Sequence, residues 1–301
     1  MTNQGSTWNE YEDHALTLQQ YKNTTLEDRL RKLRHLERNG VTLYPRLNMT
    51  EAKYYLSRRR RTGTTGGTLN HYVKAINSLL MAQGRRAETL PLYKTYYKQI
   101  QAPTNQEIQT LLQGFNRSHQ EKRTKTMTYL AIHSGLRCEE LCTLQFKHLD
   151  FKKNQLKDIQ GKGDKTRTIT LPPHILDNDR TPSLRNYIDH WRQQPTQEKD
   201  EIFLWIHEDG SPVEPWQYRK ELKKIGRRVG LPWIHPHALR HYYATRLLRA
   251  GIDIDIVQYL MGHSSIRTTA RYLHIQDQDV KKALSKLNIN DIFKNNEEDT
   301  P

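Results

Sequence analysis

The stretch that decides the fold is HALRHYYATRLLRAGIDIDIVQYLMGHSSIRTTARYLHI, which runs from residue 237 to residue 275. His237 and Arg240 lie three residues apart, so a helix would place both on one face. His263 follows in a Gly-His-Ser turn, and Tyr272 lies nine residues further on. Basic groups gathered around one tyrosine are what a phosphodiester would need if a phenol were to attack it. The stretch therefore predicts a largely helical block that carries a phosphodiester site.

Two upstream motifs add an arginine and a lysine to this set. HSGLRCEEL, residues 133–141, contains Arg137, and IQGKGDKTRTITL, residues 159–171, contains Lys162 in a predicted hairpin turn. A His-x-x-Arg pair alone is weak, because it is more often a helix with one buried histidine and one solvent-facing arginine. The full order of arginine, lysine, His-x-x-Arg, histidine and tyrosine resembles the tyrosine recombinase family, also called the phage integrase family.

The resemblance implies that the cationic residues bind the DNA phosphate that is to be cleaved. Arg137 and Arg240 would stabilise the charge that develops on the phosphate oxygens, with His263 as an additional donor. Glu140 occupies a position where the family often has an acidic residue that supports the site. A solvated helix carboxylate is the alternative interpretation of Glu140.

The resemblance also implies the covalent chemistry. Tyr272 is the nucleophile, and His237 accepts its proton or holds the hydrogen bonds of the site. Lys162 returns a proton to the leaving 5′ oxygen, with Lys165 as its competitor. The product is a 3′-phosphotyrosyl bond, which conserves the energy of the broken linkage, so that rejoining needs no ATP.

Other residues in the motif region are weaker candidates. Tyr242, Tyr243 and Tyr259 are rival tyrosines, and we expect them to be core or packing residues. His241 and Arg267 could touch the DNA backbone, without being essential.

The chain is strongly basic. It has 301 residues, a formal net charge of +15 and a sequence pI of about 9.7, which favours a polyanionic partner such as nucleic acid. Residues 1–100 hold 17 basic and 8 acidic side chains, a net of +9. Four consecutive arginines precede a TGTTGG turn at residues 62–67, which suits phosphate contacts, although such a run is often only a solvated helix end. We predict DNA contacts at Arg58, Arg59, Arg60 and Arg61.

The sequence predicts two domains. The first shows apolar spacing typical of three helices, and the boundary falls in KQIQAPTNQEI, residues 98–108. Pro103 breaks any helix there, and Thr104 with Glu107 forms a capping box for the next one. We predict a helical DNA-binding domain, a catalytic domain and a flexible tail at residues 1–100, 101–293 and 294–301.

The resemblance implies a matching fold that is mainly α. A helical, SAM-like core-binding domain would join an α-rich catalytic domain with a small antiparallel sheet, and the two would form a C-shaped clamp around double-stranded DNA. The family passes a C-terminal segment like residues 277–293 into a neighbouring subunit. This predicts a tetramer that joins two duplexes, with a helix packed on its own domain as the alternative.

Other functional classes find little support in the sequence. No stretch approaches eighteen apolar residues, and we expect no signal peptide and no membrane partner. Cys138 and Cys142, four residues apart, suit half-buried helix positions better than a disulfide or a metal site. There is no GxxxxGK[ST] loop and no compact acidic set with evident two-metal spacing. We therefore expect an enzyme without metal or cofactor, in the cytoplasm and associated with the nucleoid.

The predicted function is site-specific DNA recombination through a 3′-phosphotyrosyl intermediate and a Holliday junction. One alternative is a nicking-closing enzyme like the type IB topoisomerases, and another is a catalytically inactive DNA-binding module. The short two-domain layout favours a Xer-like or mobile-element enzyme. The choice among integration, excision and dimer resolution stays open, as do the target sequence and any partner recombinase.

Overall fold

The computed structural model describes residues 11, 23–95, 101–116, 118–161, 166–176, 182–198, 201–262 and 269. The chain forms two compact units, Met1–Lys98 and Gln99–Pro301. Several predicted features lie outside the described residues, namely Lys162, Lys165, His263, Arg267, Tyr272 and the segments 277–293 and 294–301.

Among the described residues, the core of the first unit is formed mainly by the helices α1 (Asn23–Arg38), α2 (Met49–Arg61) and α3 (Gly66–Ala82). The helical prediction for this part of the chain is confirmed. Asn48 and Thr65 accept hydrogen bonds from backbone amides and so cap α2 and α3. α1 buries a stripe of leucines at helical spacing, which consists of Leu26, Leu30, Leu33 and Leu36.

The second unit begins with α4 (Asn105–Gln113), α5 (His119–Ser134) and α6 (Cys138–Cys142). The capping box at the start of α4 is confirmed. Thr104 Oγ1 accepts from the Glu107 amide at 3.2 Å, and the Glu107 carboxylate accepts from the Thr104 amide at 2.8 Å.

A small antiparallel sheet follows, with strands β1 (Leu149–Asp150), β2 (Gln155–Gln160) and β3 (Thr166–Thr170) in that order. The predicted hairpin is therefore confirmed. Leu156 pairs with Ile169, both of them buried, and Ile159 pairs with Arg167 after a shift of register. This pairing places Arg167 on the buried side of β3.

The remaining described helices are α7 (Pro173–Leu176), α8 (Leu184–His190), α9 (Pro215–Arg228), α10 (Pro236–Arg249) and α11 (Ile254–Met261). α10 packs against α5, and α11 contacts both α10 and β3. Trp205, which is fully buried, donates to the carbonyl of Leu141 at 2.7 Å. The contact between α11 and β3 brings the carboxyl end of α11 to the strand that carries Arg167.

Both cysteines lie on α6, as predicted. Cys138 is half-buried, Cys142 is buried, and both thiols are free. Across the described part of the chain, no helix is both long enough and apolar enough to cross a membrane.

Candidate active site

Arg137 lies at the start of α6, where one carboxylate binds both its backbone and its side chain. Its amide donates to Glu140 Oε2 at 2.8 Å, and its Nη1 donates to Glu140 Oε1 at 2.7 Å. Glu140 is the third residue of α6, a position from which an acidic side chain satisfies an amide at the helix start. Arg137 Nη2 donates to the carbonyl of Gly262 at 2.8 Å. The guanidinium is therefore held between the start of α6 and the end of α11.

Arg240 lies within α10 and is only 1% exposed. Its Nη1 donates to the carbonyl of Gly135, and its Nη2 donates to the carbonyl of Met261. A guanidinium stays charged even when it is buried. The interpretation of the motif as a buried histidine beside a solvent-facing arginine is wrong, because Arg240 is buried and His237 is exposed.

The carbonyls that bind the two arginines lie at helix ends. Gly135 ends α5 and Gly262 ends α11, with φ angles of +63° and +59°. The last carbonyls of a helix lack an intrahelical partner and carry partial negative charge, so they attract cations. A Cβ at Gly135 would lie 2.3 Å from the ring of Tyr243, so only glycine fits this close approach. Two glycine-terminated helices thus bring the two arginines to one site.

Glu140 is a buried carboxylate shared by two arginines. Its side chain is 7% exposed, so the solvated-carboxylate interpretation is wrong. Burial alone would raise the pKa of Glu140, but the guanidinium of Arg167 and the hydrogen bonds from Arg137 hold that pKa at about 2. Glu140 is therefore ionised at neutral pH.

Arg167 is a residue that the sequence interpretation missed. Its Nη1 and Nη2 donate to the two oxygens of Glu140 at 3.1 and 2.8 Å, and its Nε donates to the carbonyl of Leu260 at 3.1 Å. The signal was present in the strand pattern, because Arg167, Ile169 and Leu171 alternate on one face and all three are buried. A buried arginine on such a face requires an acidic partner.

His237 and His241 lie on α10 four residues apart, and their ring centroids are 4.3 Å from each other. Residues at this spacing share a helix face. His237 therefore lies on the helix that carries Arg240. Of the predicted site residues, the structure brings Arg137, Glu140 and Arg240 together near the end of α11.

The rival tyrosines differ from one another. Tyr242 is buried and donates to Asn105 Oδ1 at 2.9 Å, and Tyr243 is buried against Gly135. The expectation that Tyr259 is also a core residue is wrong, because it is 62% exposed. The outward face of α11 carries Tyr259, whereas its buried face is formed by Val257 and Met261.

Among the described residues, no group of three or more His, Cys, Asp or Glu side chains is arranged to hold a metal ion.

The fold and the site define a basic, mainly helical protein in which guanidinium groups gather at a site suited to a phosphate. Residues 102–279 match the Phage integrase family, and this range includes His263 and Tyr272. Because the match spans more than half of the chain, the protein belongs to the phage integrase family.

Curated relatives agree with this assignment. The chain is similar to a tyrosine recombinase of Thermosipho africanus, with 34% identity over 230 residues that cover 73% of this chain and 76% of the relative. It is also similar to the tyrosine recombinase XerA of Pyrococcus furiosus, with 30% identity over 248 residues that cover 79% of this chain and 80% of the relative.

Solved structures support the fold. The Tn1549 transposon integrase in complex with circular intermediate DNA superposes with a TM-score of 0.70 at 19% identity, covering 92% of this chain and 98% of that one. A lambda integrase dimer bound to a COC′ core site superposes with a TM-score of 0.64 at 16% identity. The superposition covers 90% of this chain and 97% of the lambda integrase chain. The predicted fold class, mainly helical with a small antiparallel sheet, is confirmed.

Proposed function

We propose that this protein is a site-specific DNA recombinase that cleaves and rejoins DNA strands through a 3′-phosphotyrosyl intermediate and exchanges them through a Holliday junction. One observation carries the proposal. In a chain of the phage integrase family, Arg137 and Arg240 bind the consecutive carbonyls of Gly262 and Met261, so two guanidiniums converge at the end of α11. The next residue in the sequence is His263.

The two arginines bind the non-bridging oxygens of the phosphate that is cleaved. Attack on a phosphodiester adds negative charge to these oxygens, and a fixed donor aimed at such charge is worth about 3 kcal/mol. The planar fork of arginine matches two phosphate oxygens at once. Glu140 holds Arg137 in place through the start of α6.

The residues that the family motif assigns to catalysis carry out the covalent steps. Tyr272 attacks the phosphorus, the bond to the 5′ oxygen breaks, and a phosphotyrosyl bond forms. His237 accepts the phenol proton, Lys162 donates a proton to the leaving oxygen, and His263 adds a hydrogen bond to the phosphate. The reaction conserves bond energy and runs without a metal ion, ATP or another cofactor.

The partner is double-stranded DNA that carries recombination sites. The first unit forms the core-binding domain, and the exposed arginines at the end of α2, Arg58, Arg60 and Arg61, contact the DNA backbone together with the less exposed Arg59. Four protomers assemble on two DNA sites, with the segment after residue 276 exchanged between neighbours. Of the structural relatives, XerH is described with its difH substrate in a pre-cleavage complex, and lambda integrase as a dimer on a core site.

A suicide-substrate assay tests the proposal. Nicked duplexes from the gene's own genomic neighbourhood are incubated with wild-type protein, Tyr272→Phe and Tyr259→Phe, without metal or ATP. We expect a covalent protein–DNA band with the wild type and with Tyr259→Phe, whose exposed ring is the matched control, and no band with Tyr272→Phe.

Three outcomes would contradict the proposal. A band that survives in Tyr272→Phe would mean another nucleophile. Tight binding without any band would indicate an inactive DNA-binding module. Relaxation of supercoiled plasmid without exchange between paired sites would indicate a nicking-closing enzyme.

A further inference from the structure

Arg167 is buried like Arg240 and Glu140, although it is not one of the residues to which the family motif assigns a role. Its side chain is 4% exposed, and its fork lies on the carboxylate of Glu140. Its Nε donates to the carbonyl of Leu260. Arg167 therefore connects β3, α6 and the end of α11 through one guanidinium.

Two positively charged guanidiniums surround one negatively charged carboxylate at the start of α6. Arg137 and Arg167 share the single carboxylate of Glu140, and each guanidinium also binds a carbonyl at the end of α11. If Arg167 were absent, the whole charge of Glu140 would act on Arg137. A phosphate would then have to compete with that carboxylate for the fork of Arg137.

Geometry couples Arg167 to the turn that precedes His263. A Cβ at Gly262 would lie 2.9 Å from Nη1 of Arg167, so the guanidinium packs directly on the glycine backbone. Arg137 binds the carbonyl of the same glycine. Arg137 therefore hydrogen-bonds Gly262, and Arg167 packs against the same residue.

The geometry points to Arg167 as a positioning residue for DNA cleavage: it offsets the charge of Glu140 and packs on the Gly262 turn, so that the positive charge of Arg137 acts on the phosphate. This inference rests on the proposed function and deepens it. Arg167 touches no reacting atom and acts through Arg137 and the Gly262 turn.

The chain provides a matched control for a purely structural role. Arg123 is 3% exposed, pairs with Glu221 at 2.9 Å and donates to the carbonyl of Ile206 at 3.1 Å. It is thus a buried arginine with one carboxylate and one carbonyl partner, like Arg167, but its ion pair joins α5 to α9. Removing either arginine leaves a buried carboxylate without its main partner.

The experiment compares Arg167→Gln, Arg167→Lys and Arg123→Gln by thermal melting, by binding to an intact duplex and by single-turnover formation of the covalent complex. We expect both glutamine variants to melt at lower temperature and to bind DNA with affinities within about threefold of the wild type, because phosphate contacts elsewhere carry binding. Cleavage should fall about 100-fold in Arg167→Gln, the size of effect that a misplaced group produces, and stay near wild type in Arg123→Gln. Arg167→Lys should recover part of the rate, because it keeps the charge but loses the fork.

A double variant separates coupling from general damage. If Arg167 and Glu140 both act through Arg137, Glu140→Gln combined with Arg167→Gln cleaves no more slowly than the slower single variant. Additive losses would overturn the inference, as would equal cleavage rates in Arg167→Gln and Arg123→Gln. A wild type that forms no covalent complex, by contrast, would refute the proposed function itself, and the inference would fall with it.

Discussion

At the scale of single residues, Arg240 connects two helix ends with one guanidinium. Arg240→Lys keeps the charge, but an ammonium reaches one of the carbonyls of Gly135 and Met261 instead of both. We expect covalent-complex formation to fall about 100-fold, because the lysine can no longer present the arginine fork to the phosphate. One fixed donor to the charge that develops there is worth about 3 kcal/mol in the transition state. Stability should fall by about 1 to 3 kcal/mol, because a buried carbonyl loses its partner.

Suicide-substrate cleavage and denaturant melts measure these two effects. Arg249→Lys is the matched control, because Arg249 is exposed at the last residue of the same helix. Equal cleavage by the two variants would exclude a role for the fork of Arg240.

Glu140 makes stability depend on pH. Its pKa is lowered from 4.5 to about 2, because the pairing with Arg167 and Arg137 outweighs the effect of burial. A carboxyl whose pKa is lowered by folding contributes stability that is complete above 4.5 and is lost as the pH falls towards 2. We expect the melting temperature of the wild type to fall more steeply across this window than that of Glu140→Gln.

Melting curves at a series of pH values test this expectation. Glu139→Gln is the control, because its carboxylate lies next in the chain and its side chain is 63% exposed. That variant should follow the wild type. Parallel curves for the wild type and Glu140→Gln would contradict the assignment.

At the scale of elements, the end of α11 is defined by one glycine. Gly262 has a φ of +59°, and a Cβ there would meet the guanidinium of Arg167. Gly262→Ala therefore introduces backbone strain and a steric clash with Arg167. Gly251 has a φ of +82° and open space around it, so Gly251→Ala introduces backbone strain without a clash. We expect Gly251→Ala to cost about 1 to 2 kcal/mol with cleavage intact.

Gly262→Ala should cost more than Gly251→Ala and should also slow cleavage, because Arg167 and the carbonyl bound by Arg137 must both shift. Urea denaturation and the suicide substrate measure the two effects. Equal effects of the two substitutions would mean that the contact with Arg167 contributes nothing.

Some features of the helices and strands could be predicted from local sequence patterns, and others could not. The capping box of α4, the leucine stripe of α1 and the β2–β3 hairpin were predictable, because each depends on residues at most 15 positions apart in the chain. Burial of Arg167 depends on a partner 27 positions away, Glu140. The alternation of β3 indicated which face Arg167 occupies, but it could not identify that partner.

At the scale of the whole molecule, we propose that the positive charge of the first unit serves DNA binding. Arg58 and Arg61 are exposed and lie three residues apart at the end of α2, so they share a face. Replacing both with glutamine should weaken DNA binding and reduce the slope of log affinity against log salt by about 2, because each lost phosphate contact contributes about 0.9.

Titrations at several salt concentrations measure that slope. The control replaces Arg38 and Arg46, which are also exposed in the first unit, with glutamine, so that the net charge change is the same. An equal loss in the control would mean that net charge, and not this helix end, determines binding.

The sequence by itself indicated the family, the helical pattern, the capping box and two of the arginines that meet at the end of α11, Arg137 and Arg240, but not Arg167. These features follow from residue types at fixed spacing, and short-range geometry converts spacing into a shared helix face or turn. Tertiary structure alone decided that Arg240 is buried while His237 is exposed, that Glu140 serves two arginines, and that Tyr259 faces outward. Each of these outcomes depends on which helix ends meet, and the packing of α5, α10 and α11 brings together carbonyls that lie more than a hundred residues apart in the chain.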